Sequence, residues 1–379
     1  MTINTKCIHG STKKYDTTGA VSVPIFQSAV FSYPGVGETT GFDYSRQQNP
    51  TREYIEDIIA NLENGIGGLA FASGMAAITL TMELFSPGDH IILSDNLYGG
   101  SYRLFYQIYT KNNGLSFTLV DAGDISAIEK QITPKTKAIF IETPSNPVMH
   151  VTDIAAVSAL AKAHDLLVIA DNTFLTPYFQ KPLDLGVDIV VHSGTKFLGG
   201  HNDTLSGFLA WSNPALSDKL RFLHKCTGAC LSPFDSWLMI RSIKTLSVRM
   251  DRHEENTRRI AEWLSNQPRI RKVYYPGLKT HPQYEISCRQ ATGFGGVLSF
   301  EAESAEAALK ILGGVRIIQF GESLGGAESL LTYPVLQTHA DIPKEEREAK
   351  GITDKLIRLS VGLEDYTDLT NDLDRAINS

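Results

Sequence analysis

"DIVVHSGTKFLGGHND" (188–203) opens as a strand, closes as a loop, and carries a lysine near the joint. Ile189, Val190 and Val191 are consecutive and β-branched, which suits a strand buried on both faces. Lys196 then stands among Ser193, Thr195 and the pair Gly199-Gly200. A lysine at the end of a buried strand costs stability unless something uses or neutralises its charge. What Lys196 is for is therefore the first question.

The flanking sequence alternates strand-like and helix-like runs. HIILSD (90–95), FTLVD (117–121), KAIFIET (137–143), LLVIADN (166–172) and LSGFLAW (205–211) are short and apolar. DISAIEKQI (124–132) and DIAAVSALAKAH (153–164) have helical spacing, and Asp153 stands where it can cap free amides. Apolar strands separated by helices predict an α/β fold, a largely parallel sheet covered on both faces. Residues 1–46, rich in Gly, Thr, Ser and Pro, read as an extended arm rather than a folded unit. Residues 47–242 read as the large sheet domain. Residues 243–379 read as a smaller α+β domain, marked by a long polar helix (242–264) and by VYYPG (273–277) and GGVLSFEA (295–302).

The chain has 379 residues, room for two cores, and 35 basic against 42 acidic residues. Without a basic stripe, nucleic-acid binding has no electrostatic support. The N-terminus lacks an apolar signal core and no apolar run could cross a bilayer, so a cytoplasmic protein without a membrane partner is expected. Cys7, Cys226, Cys230 and Cys288 are too scattered for a disulfide framework. Cys226 and Cys230, with His224 near, could be half a metal site. No second ligand pair has zinc spacing, so buried thiols near a loop are expected, and no metal.

In an open parallel sheet, ligands gather at the carboxyl ends of the strands. Asp171-Asn172-Thr173, Ser193-Gly194-Thr195-Lys196 and Asn146 fall at such ends. ASGMAAI (72–78) opens a helix with serine and glycine, whose free amides can seat a phosphate. Ser193 and Thr195 could add hydroxyls, and Gly194 would let the backbone approach. A lysine, a lone carboxylate 25 positions before it and a phosphate seat suit one molecule, pyridoxal 5′-phosphate (PLP). Each piece alone has a plainer reading: a helix cap at Asp171, a packed turn at SGMAA, a snorkelling chain at Lys196. Their order and placement together favour the cofactor.

YSRQQNPT (44–51), SGMAA (73–77), LYGGSYR (97–103), ETPSNP (142–147), ADNTF (170–174), SGTKFLGGHND (193–203), ESLGGAESL (322–330) and LIRLSVGLED (356–365) extend the pattern. Together they resemble the cysteine/methionine-metabolism (trans-sulfuration) family of fold-type I PLP enzymes, which includes cystathionine γ-synthase, cystathionine β- and γ-lyases and methionine γ-lyase. The resemblance implies an aspartate-aminotransferase-like fold, with a large, mostly parallel sheet of seven-strand type and a smaller C-terminal domain. It also implies a role for each matching residue. Lys196 would hold the cofactor as a Schiff base and shuttle protons once freed. Asp171 would pair with the ring nitrogen, Tyr98 would stack on the ring, and Asn146 would contact its hydroxyl. Gly74, Met75, Ser193 and Thr195 would seat the phosphate, and Thr173 would join the cofactor-binding set.

By the same resemblance, Tyr44 and Arg46 would reach the phosphate of a neighbouring subunit. The protein would then be at least a dimer, expected as a tetramer built from two dimers. Arg358 would hold the substrate α-carboxylate through two parallel hydrogen bonds, beside Ser323. Two departures stand out. Gln47 and Gln48 occupy positions where the family usually has Ser or Thr and then Gly, which bears on the local turn of the arm. Gly100 stands where methionine γ-lyases carry cysteine, which argues against that activity.

Arg103 matches a position that meets the far carboxylate in cystathionine-handling members, and Glu322 matches a glutamate of γ-synthases and γ-lyases. For isolated residues, a helix-face salt bridge and a solvated acid would be the plainer readings. The stretch 330–343 resembles bacterial cystathionine lyases. The leading expectation is a carbon–sulfur lyase that cleaves cystathionine by β- or γ-elimination. The alternative is cystathionine γ-synthase, joining an O-acyl-homoserine to cysteine.

A different class also fits one motif. Ser193-x-x-Lys196 and Ser94-Asp95-Asn96 match signatures of serine acyl-enzymes. Their order is reversed, no Lys-Thr-Gly triplet exists, and the serine follows a strand where it should open a helix. A non-catalytic protein on the same fold is disfavoured by intact Lys196, Asp171 and Arg358. GIGG (65–68) and GFGG (293–296) read as turns and not as dinucleotide loops.

Overall fold

The computed structural model describes residues 1–13, 15–340 and 342–379. One residue of the 330–343 stretch, Asp341, lies outside them. The chain builds two sheets, of seven and five strands. The large one comprises β1 (Gly67–Phe71), β2 (His90–Ser94), β3 (Ser116–Val120), β4 (Thr136–Glu142), β5 (Leu167–Asp171), β6 (Ile189–Ser193) and β7 (Gly207–Trp211). Their order is β1-β7-β6-β5-β4-β2-β3, and β7 alone runs against its neighbours. Ile169, Val190 and Phe140 are fully buried, because apolar clusters cover both faces of the sheet.

Helices pack on the sheet with ends fixed by polar side chains. In α1 (Ile3–His9), Cys7 is buried in the main core. Asn49 caps α2 (Pro50–Leu62) by accepting from the Thr51 and Arg52 amides, with Pro50 at the first position. Ser73 caps α3 (Gly74–Met82) by accepting from Ala76 N at 3.1 Å. Then α4 (Gly99–Arg103) runs into a π-helical stretch, Leu104–Tyr109.

The smaller sheet holds β8 (Ile270–Tyr274), β9 (Val297–Ala302), β10 (Gln319–Phe320), β11 (Leu330–Thr332) and β12 (Leu356–Ser360). Its order is β10-β11-β12-β9-β8. Leu298, Phe300, Ile357 and Leu359 are fully buried in its own core.

Several expectations need correcting. The arm is not wholly extended, since α1 folds onto α2, and Lys6 Nζ donates to Asn61 O at 2.9 Å. The long polar helix is two helices, Pro233–Ile243 and Leu246–Ser265, broken at Lys244-Thr245. GIGG is only half a turn, because Gly67 and Gly68 open β1. A Cβ on Gly67 would meet the Trp211 ring at 2.3 Å, so these glycines serve close packing. Cys226 is exposed, and Cys230 lies beyond the helix Ser217–Thr227, which ends at Gly228 with φ +74°. The turn after Arg46 is held from behind: buried Arg52 donates to Ser45 O and Gln47 O at 2.5 and 2.9 Å.

Candidate active site

The polar residues that end β2, β4, β5 and β6 all fall at the carboxyl edge of the sheet. Parallel strands carry their side chains to one end, and the chain must leave the sheet there. Glu142 and Asp171 stand opposite one another in register at the last rungs of β4 and β5. The loop after β6 carries Gly194, Thr195 and Lys196 under the first turn of α3. The loop also packs closely on the start of β7, where glycine is needed, since a Cβ on Gly194 would meet Ser206 Oγ at 2.3 Å and the Phe208 ring at 2.4 Å.

A cavity of about 210 Å3 opens at this edge. It is lined by Gly74, Met75, Tyr98, Asn146, Asp171, Thr173, Ser193, Thr195, Lys196, Glu322, Ser323 and Arg358. The first nine come from the large domain and the last three from the small one, so the site sits where the domains meet. Tyr44, Arg46 and Arg103 do not line it. Tyr44 and Arg46 are exposed, and Arg46 Nη1 donates to Lys225 O at 2.5 Å. Arg103 is exposed at the last position of α4.

Lys196 Nζ donates to Ser323 Oγ at 2.9 Å. Burial and the Arg358 charge lower its pKa from 10.5 to about 8, against an opposing pull from Glu322. At that value the amine exists in both protonation states near neutral pH, as a nucleophile or proton carrier requires. Asp171 Oδ1 accepts from the Thr173 amide at 3.0 Å and from its hydroxyl at 2.5 Å. Burial nevertheless raises the Asp171 pKa, outweighing the Thr173 bonds and a favourable interaction with His192.

Arg358 is 2% exposed. It donates to Asn146 Oδ1 and Ser323 O at 2.8 Å and to Thr332 Oγ1 at 2.9 Å. Its Nε is buried without a partner, and burial lowers its pKa to about 10. A buried guanidinium with an unused donor is an anion site. The α3 N-terminus is a second one: the Gly74 and Met75 amides lead the helix, and the Ser193 and Thr195 hydroxyls line the same cavity.

Some lining residues escaped the sequence reading. Phe174, Leu205 and Thr338 could not be singled out by type or spacing. Glu142 could have been: it ends a strand beside the strand that ends in Asp171, so the carboxylate is not lone. His339, packed behind Thr338 with Nδ1 2.7 Å from Thr338 Oγ1, is held neutral by burial, its pKa down to about 3. Ser193 closes a strand and does not open a helix, contrary to what a serine acyl-enzyme needs.

Comparisons with known proteins point one way. The family described as "Cys/Met metabolism PLP-dependent enzyme" matches residues 4–378. The chain is 48% identical to cystathionine beta-lyase of Lactococcus lactis subsp. cremoris (strain MG1363) over 99% of its own length and 98% of the relative's. It is also 48% identical to cystathionine gamma-synthase of Haemophilus influenzae, over 98% and 96%. The crystal structure of cystathionine gamma-lyase from Lactobacillus plantarum complexed with L-serine superposes with a TM-score of 0.97 at 47% identity, covering 100% of this chain and 99% of that one.

Proposed function

The chain belongs to the Cys/Met metabolism PLP-dependent enzymes, and on that premise we propose that it is a carbon–sulfur lyase acting on cystathionine. It would cleave the substrate by β- or γ-elimination to a thiol amino acid, a keto acid and ammonia. The observation that carries this reading is one cavity holding an amine, a carboxylate and two anion sites, with Glu322 in the same lining.

The residues fit the cofactor. Asp171 is a carboxylate whose charge burial disfavours, and a protonated ring nitrogen would supply a cation beside it. The first turn of α3, with Ser193 and Thr195, offers donors for the phosphate, and Asn146 would face the ring hydroxyl. Tyr98, 37% exposed at the start of α4, presents its ring to the cavity. When bound, the cofactor supplies an electron sink that acidifies the substrate α-carbon.

The protein's own groups do the rest. Lys196 Nζ, with its lowered pKa, takes the α-proton and returns a proton to the carbon skeleton. Ser323 Oγ steadies that amine, and Arg358 fixes the α-carboxylate with its free Nε. Orientation by a buried fork is worth far more than attraction alone. Thr173 holds Asp171 in place and opposes the upward push of burial on its pKa. Phe174, Leu205 and Leu324 wall the cavity and limit water around the reacting carbon.

We place Arg103 and Glu322 at the distal end of the substrate, and Tyr44 and Arg46 at the phosphate of a neighbouring subunit. The protein then works as at least a dimer, and as a tetramer when dimers pair. Four unbridged cysteines suit the cytoplasm. No helix among the described residues is long and apolar enough to cross a membrane.

Cystathionine γ-synthase is the second reading, favoured by Glu322 in the lining and by the Haemophilus influenzae relative. Supplying pure holoenzyme with each substrate separates the two. Keto acid and free thiol from cystathionine support the lyase. Cystathionine formed from O-acyl-homoserine and cysteine, with negligible cleavage, supports the synthase.

A further inference from the structure

Glu142 is absent from every role assigned above, yet it lines the same cavity. It is 7% exposed and ends β4 directly opposite Asp171. Its Oε2 accepts from Tyr98 N at 2.8 Å, the amide at the very start of α4. The Asn146 amide adds a second, looser contact to the same carboxyl, and the Arg358 charge lies near it. Asn146 in turn accepts from Arg358 Nη1 at 2.8 Å. One carboxyl thus touches the backbone of the residue that presents the aromatic ring. It also touches the backbone of the residue that faces the ring hydroxyl and braces the substrate arginine.

We propose that Glu142 is a positioning residue for the cofactor, fixing the Tyr98 ring and the Asn146 side chain by holding their amides from beneath. The inference rests on the cofactor reading and goes beyond it. Tyr98 and Asn146 sit on separate segments, after β2 and after β4, and this carboxyl reaches both. Burial and the neighbouring Asp171 carboxylate push the Glu142 pKa up, so it is suited to a neutral anchoring role while Asp171 carries the charge. Glutamine keeps an oxygen acceptor for Tyr98 N, whereas alanine removes the acceptor at 2.8 Å altogether.

The test uses the holoenzyme and reads the bound cofactor. Visible circular dichroism reports how the ring is held, and titration with pyridoxal 5′-phosphate gives its Kd. Glu142→Ala is expected to lower the ellipticity per bound cofactor and raise Kd about tenfold. Glu142→Gln is expected to restore most of both. Wild-type ellipticity and Kd in Glu142→Ala would overturn the proposal. Equal losses in both variants also contradict it, because the effect would then follow the charge and not the amide contacts. If Glu142→Ala fails to fold, Glu142→Asp takes its place: a carboxyl withdrawn by one methylene should show the same losses, and unchanged values overturn the proposal. A wild type without any visible cofactor band defeats the cofactor reading itself, and this inference with it.

Discussion

The amine of Lys196 lies 2.9 Å from the hydroxyl of Ser323, a contact between residues 127 positions apart that joins the two domains across the cavity. The lysine comes from the loop after the large sheet's β6, and the serine from the loop between β10 and β11 of the small sheet. The amine is thus carried by a loop of the large sheet and held by a loop of the small one.

Removing that acceptor is the mildest way to test the arrangement. Ser323→Ala should leave thermal stability unchanged and lower kcat about tenfold, since a positioned amine loses its single described side-chain acceptor. Steady-state assay with cystathionine, beside a melting curve, checks both halves. An unchanged kcat would show that the contact is incidental.

Arg358→Lys keeps the charge but loses the fork. The unused Nε and its neighbouring nitrogens cannot be replaced by one ammonium, so kcat/KM should fall about 10–100-fold. The lysine variant should fold, because a cation remains beside Glu322, which favours the charged form of Arg358. A variant with wild-type kcat/KM would free Arg358 from substrate binding.

The lowered pKa of Lys196 has a consequence for stability. Its folded value is about 8 and its unfolded value about 10.5, so between them the unfolded chain holds more protons. The cost of burying the charged amine is therefore present in full below pH 8 and is relieved as pH rises through that window. In cofactor-free protein, Lys196→Met should melt above the wild type at pH 7, and the gap should narrow by pH 10. A gap that stays constant with pH contradicts the lowered value.

Gly194→Ala tests the close packing of the Lys196 loop against the start of β7. The added methyl would overlap Ser206 Oγ and the Phe208 ring at 2.3 and 2.4 Å, both fully buried. A cost of about 2–3 kcal/mol is expected in urea unfolding, with weaker cofactor retention. Stability within about 0.5 kcal/mol of the wild type would mean that the loop relaxes freely.

The large sheet was legible where its strands are continuous apolar runs, as in β4, β5 and β6. These are buried on both faces, and burial leaves a plain mark in composition. The start of β1 was not legible, because Gly67 and Gly68 owe their identity to Trp211 and Glu56, partners remote in sequence. The break at Lys244-Thr245 was hidden because neither residue is a helix breaker. Lys196 and Asp171 were visible as polar ends of apolar strands. Ser323 and Arg358 come from the small domain, and local pattern alone could not join them to the site; only the family resemblance did. Glu142 was within reach of strand-end reasoning, but its partnership with Asp171 depends on which strands are neighbours, and strand order is a tertiary fact.

The account stands on Lys196 as the covalent anchor of the cofactor. Reducing the holoenzyme with borohydride and mapping its peptides measures this directly. A single pyridoxyl group on Lys196, appearing as the visible band bleaches and activity is lost, is the predicted result. A pyridoxyl group on any other lysine, or none on protein that turns over cystathionine, would contradict it.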